Sequence, residues 1–158
     1  FEPRAIISPG SPGLYDQEFY DALGPLAEVV MFNLPWVNPR SEMTQALERE
    51  FARQFPQNRF AVDSFNVGFT FEAILIAADG HRRAQATAGP ALMEAIRATN
   101  IERHVMIGGP IRFDEKGQNP NIGSASVQNI RRTPTVVWPA DVATAEPVLP
   151  MPGWQGRS

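Results

Sequence analysis

Apolar positions along the chain fall into blocks of two periods, and the blocks alternate. Ala5-Ile6-Ile7 is a short apolar run that reads as a buried strand. It leads into Ser8-Pro9-Gly10-Ser11-Pro12-Gly13, where small residues and prolines predict an exposed, stiff loop. Tyr15 to Leu23 suits a short helix closed by Gly24-Pro25. Glu28 to Leu34 is apolar almost throughout, the pattern of a strand buried on both faces. Asn38-Pro39 then offers an N-cap followed by proline at the first helical position. Met43, Leu47, Phe51 and Phe55 follow at four-residue spacing, the apolar stripe of a helix that Pro56 ends.

The block from Val62 to Ala78 fits both periods. Phe65, Val67, Phe69 and Phe71 alternate as in a strand, whereas Phe71, Ile74, Leu75 and Ala78 recur as in a helix. The block is longer than a normal strand, so the expectation is one helix, apolar nearly all round and therefore buried. Gly80 to Gly89 reads as a connection, and Pro90 opens a helix carrying Leu92, Met93 and Ile96. Ile111 and Phe113 flank Arg112 as a strand with one buried face, and Asp114 to Gly117 supplies a turn. Val127 begins a further extended segment. Thr135 to Trp138 makes another, rich in β-branched and aromatic residues and stopped by Pro139. The Pro-rich tail from Ala140 lacks any period and is expected to lie along the surface. This order of elements indicates a single α/β domain with helices covering a sheet.

Composition narrows the function classes. The 158 residues are enough for one core, and 43% hydrophobic with 20% charged residues is the balance of a folded protein. Net charge is −3, and the arginines are scattered or paired, as at Arg82-Arg83 and Arg131-Arg132. Without a basic stripe there is no case for nucleic-acid binding. The absence of cysteine excludes disulfides, thiol catalysis and cysteine metal sites but leaves the compartment open. No unbroken apolar run approaches the roughly 18 residues of a membrane span; Ala73 to Ala78 is the longest, so direct membrane insertion is not expected. The chain starts at Phe1, without methionine and just upstream of a strand, which suggests a processed or cut piece with a region missing upstream.

Candidate chemistry is sparse. His81 and His104 lie in polar connections with no HxxxH or HxH spacing, so both are expected at the surface and no metal site is indicated. Glu48 and Glu50, two residues apart on a helix, do not face each other. No serine sits in a GxSxG elbow. Nothing here supports an enzyme or a bound cofactor. The Ser8 to Gly13 loop joins a strand to a helix but has no GxGxxG and no lysine. Asp16 and Glu18 put negative charge where a phosphate would sit, which argues against nucleotides. In open α/β sheets, ligands lie beyond the carboxyl ends of strands. Ser8, Gly10, Ser11 and Gly13 are therefore candidates for a cleft wall, with an ordinary connection as the alternative. Trp36 and Tyr15 could each present an aromatic face to a small organic ligand, the alternative being plain packing.

The order GGPIRFDEKGQ followed by VVWP resembles the C-terminal part of the substrate-binding proteins of branched-chain amino-acid type ABC transporters. Ala5 to Gly24 looks like that family's strand, cleft loop and helix ending in ALG, and Val29 to Trp36 like its next strand and exit. Phe71-Glu72-Ala73 looks like the Tyr-Asp-Ala patch opening a long helix. The resemblance implies an incomplete three-layer αβα, Rossmann-like lobe of a type I periplasmic binding protein. In that reading residues 1–158 form one partial domain, much of the second lobe with segments that cross the hinge, and the first lobe is missing. It further implies a periplasmic protein that captures an amino acid, small carboxylate or amide between lobes and hands it to the membrane permease subunits. A ligand-sensing receptor module on the same fold is the alternative.

Overall fold

Four strands carry the chain's central sheet in the computed structural model, which describes residues 1–10, 12–85 and 89–153. They are β1 (Ile7–Pro9), β2 (Met31–Leu34), β5 (Ala125–Ile130) and β6 (Thr133–Trp138), in the order β1-β2-β5-β6. β1 runs parallel to β2, but β2 to β5 and β5 to β6 are antiparallel. The α/β class holds, with one parallel and two antiparallel pairs in the sheet. Only two residues, Arg131 and Arg132, join β5 to β6, and both adopt left-handed backbone, as a tight hairpin requires. Glu28 secures this turn by accepting the Arg131 and Arg132 amide protons at 2.8 and 2.6 Å.

Register sets which side chains form the core. Phe32 is paired with Val127, and Val127 with Val136, so all three share one face of the sheet. That face packs with Tyr15, Trp36, Phe60 and Val105 into one buried cluster. The opposite face, carrying Met31 and Gln128, is covered by the C-terminal segment. The Gln128 side chain donates to the Val148 carbonyl and accepts the Val148 amide proton. The tail thus docks rather than lying loose on the surface, with Val142 and Met151 buried. In the described residues the helices form one layer over the sheet, and this segment takes the place of another.

Several element boundaries differ from the sequence reading, each for a local reason. The first strand is Ile7–Pro9 instead of Ala5 to Ile7, because parallel pairing with Met31–Asn33 draws Ser8 and Pro9 into the ladder. The second begins only at Met31, since a 3-10 turn occupies Gly24–Ala27 and Val29 has φ +58. α1 (Gln17–Leu23) follows a 3-10 turn over Pro12–Tyr15. α2 (Glu42–Gln54) starts after Ser41. The Asn38 side chain bonds the Arg40 amide in a turn, so the proposed Asn38-Pro39 helix start is displaced by one turn.

α3 (Phe60–Ala84) is one helix, as expected of Val62 to Ala78, but it continues to Ala84, into the stretch read as a connection from Gly80. Phe71-Glu72-Ala73 consequently sits in mid-helix. The helix is not buried all round: Val62, Ser64, Gly68, Glu72 and Gly80 face inward, while Ile74 is 63% exposed. By length and composition α3 could cross a bilayer, a property missed by looking for an unbroken apolar run. α4 (Gly89–Arg97) packs on the C-terminal half of α3, where Gly80 leaves room for Leu92 and Ile96. β3 (Asn100–Ile101) and β4 (Ile111–Arg112) form a small second sheet. The turn after β4 forms as read: the Asp114 carboxylate accepts amide protons from Lys116 and Gln118, and Gly117 has φ +77.

Two connections, near Trp36–Asn38 and near Asn121–Ala125, join the sheet to the helical part. Between them runs the segment Val105–Gly109. It is bonded to the first connection through Ile107 N–H to Trp36 O at 2.8 Å and Asn38 N–H to Val105 O at 2.7 Å. It is bonded to the second through Gly123 N–H to Ile107 O and Gly109 N–H to Asn121 O, both 2.9 Å.

Candidate site at the end of the first strand

The parallel pair β1–β2 places two chain exits side by side. Gly10 donates its amide proton to the Asn33 carbonyl at 3.0 Å, which extends the ladder one step and then turns the chain with φ +71, a conformation suited to glycine. Gly10 and Gly13 are exposed, and a side chain at either would meet nothing within 4 Å. Ser8 is half-buried and points to the Phe32 side of the sheet by its register. Ser11 lies outside the described residues. The loop is therefore an open, backbone-lined rim whose peptide groups a ligand could approach closely.

Beneath the rim the structure does bring Tyr15 and Trp36 together, with ring centroids 5.1 Å apart and edge to face. Both also pack on Phe32, at 5.4 and 5.6 Å, and on Phe65 of α3, at 6.0 and 6.2 Å. Tyr15 is 2% exposed and Trp36 3%. The expectation that either ring offers an open face is thus corrected: their faces are taken by neighbouring aromatics, since an apolar ring at a sheet end gains most by closing onto the helix above it. Burial, with Asp16 adding to it, pushes the Tyr15 hydroxyl up to about 12, so it stays a neutral phenol. Behind Trp36 lies a narrow cavity of about 170 Å³ bordered by Thr44, Ser64 and Thr135.

The floor of this region is held by a buried polar network that the sequence reading did not find. Asn129, fully buried on β5, accepts the Tyr20 hydroxyl proton at 2.7 Å and donates to the carbonyls of Leu14 and Ala27 at 2.8 and 3.1 Å. One side chain on the sheet thereby ties down the loop before α1 and the turn after it. Nothing in the mixed ASVQNI sequence of β5 singles out Asn129 for this role.

His104 is the other site the sequence misplaced. It was expected at the surface, yet its side chain is 7% exposed and bonds Glu72 of α3, itself buried, at 2.7 Å. The charged pair Glu102-Arg103 just before His104 conceals this, because its partner is 32 residues away. His81, by contrast, is exposed on α3. Among the described residues no three His, Asp or Glu side chains converge as metal ligands.

No protein-family model matches the chain, and no curated protein matches it. Solved structures do. A protein from Silicibacter pomeroyi, provisionally described as a branched-chain amino acid ABC transporter, superposes with TM-score 0.68 at 14% identity, over 91% of this chain and 40% of its own. A type 1 periplasmic binding protein from Bordetella pertussis gives 0.64 at 17% identity, over 90% and 39%. A branched-chain amino acid ABC transporter protein from Thermus thermophilus with bound valine gives 0.62 at 17% identity, over 92% and 39%. The chain spans about two fifths of the length of these structures. Mixed sheet topology, the helical layer and these superpositions together show that the chain has the fold of part of a type I periplasmic binding protein.

Proposed function

We propose that the chain is part of a two-lobed solute-binding protein that captures a small ligand without covalent chemistry and delivers it to an ABC permease in the membrane. The observation that carries this reading is the open glycine rim at the end of β1, set in a fold shared with a valine-bound transport protein. The ligand class is an amino acid or a related small carboxylate or amide. Ser8, Gly10, Ser11 and Gly13 would meet it, and Tyr15 and Trp36 would back the rim as a rigid aromatic floor. The protein would work in the periplasm.

In the same reading the sheet belongs to the second lobe, and the two connections are hinge crossings. β1 is an edge strand to which further strands can add. The exposed groove of about 450 Å³ between α2 and α3, lined by Leu47, Phe51, Phe55, Val67, Phe71 and Ile74, would pack against the first lobe.

Well-binding pockets bury about 70% or more of their ligand, which a single rim cannot do. Calorimetry with a panel of amino acids and small carboxylates should therefore give very weak binding to the 158-residue chain and tight binding to the two-lobed protein. Equal affinity in the two would overturn the reading.

A further inference from the structure

The Val105–Gly109 segment straps the two connections together, and besides the Thr44 hydroxyl bonded to Val105 it is held by the side chains of His104 and Glu72. His104 Nδ1 lies 2.7 Å from Glu72 Oε1, and Nε2 lies 2.9 Å from the Gly109 carbonyl oxygen. Glu72 Oε1 also accepts the Met106 amide proton at 2.9 Å. Both ring nitrogens therefore face acceptors. A neutral imidazole carries one N–H and can satisfy only one of them, whereas the imidazolium satisfies both. We propose that His104 and Glu72 form a protonation-dependent clasp on this strap, and that loss of the His104 proton releases the strap at Gly109.

Release occurs at that end because the ionised Glu72 is the stronger acceptor and retains the remaining N–H. The bare lone pair is then left against the Gly109 carbonyl. Glycines 109 and 123 donate the two bonds that hold the strap to the second connection, so those bonds loosen with it.

The surroundings favour the charged ring. The hydrogen bond that His104 donates to Glu72 is the main influence and raises the His104 pKa above its ordinary value; burial opposes it, and the Gly109 carbonyl adds to the rise. Other charges facing this region are Glu102 and Arg103 on the same segment and Glu42 on α2, around an open polar pocket of about 250 Å³. Arg103 and Glu42 lie 3.5 Å apart and are well exposed, so they offset one another in solvent. Arg112 on β4 is bonded to Asn100. Because the folded pKa is raised, the clasp's contribution to stability is complete below about pH 6.5, the unfolded value. It is lost as the pH rises through the folded value.

A role in opening and closing rests on the connections being a hinge, but the clasp does not, so the test is made on the 158-residue chain without ligand. Ring-nitrogen NMR across pH 5 to 9, with His81→Gln for assignment, should show His104 protonated on both nitrogens at pH 6 and titrating above about 6.5. The hydrogen-exchange protection factors of Gly109 and Gly123 should fall severalfold across the same midpoint. In Glu72→Gln the midpoint should drop and the step in protection disappear. A single protonated nitrogen on wild-type His104 at pH 6, or protection at Gly109 and Gly123 that ignores the titration, would overturn the proposal. Either result can be read from the wild-type chain even if the variant does not fold.

Discussion

The two halves of α3 both carry apolar runs but differ in what they bury. In the first half Phe60, Val62 and Ser64 face inward, and Phe65 closes over Tyr15 and Trp36. In the second half the buried residues are Glu72 and Gly80, while Ile74 stands out in solvent. The first half meets the sheet's apolar face. The second meets the strap and α4, where a carboxylate has amide and imidazole partners and a glycine admits Leu92 and Ile96. Hydrophobicity therefore specifies that a segment seeks cover, but the neighbour on offer decides which face obtains it.

The contrast can be broken at four places. Trp36→Ala, beneath the packed half, should lower stability by about 3–5 kcal/mol in denaturant unfolding, the cost of removing a large core aromatic. A loss under 1 kcal/mol would mean that the ring is not core and would restore it as a free ligand face. Gly68→Ala lies where the two halves meet. Its new methyl carbon would sit 2.6 Å from Val37 Cγ1 and 2.8 Å from Met106 Sδ. Overpacking of about 1–3 kcal/mol should outweigh the roughly 1 kcal/mol that alanine gains in helix propensity, giving a net loss. A rise in melting temperature would show instead that the first connection yields easily.

Tyr20→Phe removes the hydroxyl proton from buried Asn129 and should cost about 1–3 kcal/mol, the penalty for an orphaned buried acceptor. Hydrogen exchange should report its effect in the Leu14 and Ala27 region. Ile74→Ser, on the open half, should change stability by no more than about 0.5 kcal/mol in the 158-residue chain. The same change in a longer, two-lobed protein should cost more, since the groove would then be covered. An equal, negligible effect in both would remove the groove from the lobe interface.

Much of the fold could be read from local pattern. The four-residue stripe Met43-Leu47-Phe51 located α2, the length of the Val62–Ala78 block chose helix over strand for α3, and Asp114 with Gly117 specified its turn, because each signal acts within a few residues. The turn at Gly10 was located in the same way, as a break after a strand, although Ser8 and Pro9 belong to the strand itself. Other features required partners far along the chain. Antiparallel pairing of β2 with β5 joins residues nearly a hundred positions apart, which no local period encodes. Whether Tyr15 and Trp36 face a ligand or each other depends on Phe65 arriving from α3. His104 follows the charged pair Glu102-Arg103 and reads as surface until Glu72 meets it. Short-range backbone preferences and apolar period thus determined the elements. Tertiary packing decided the sheet's direction, the fate of each aromatic face and the partners of His104, because those depend on which distant groups exclude water from them.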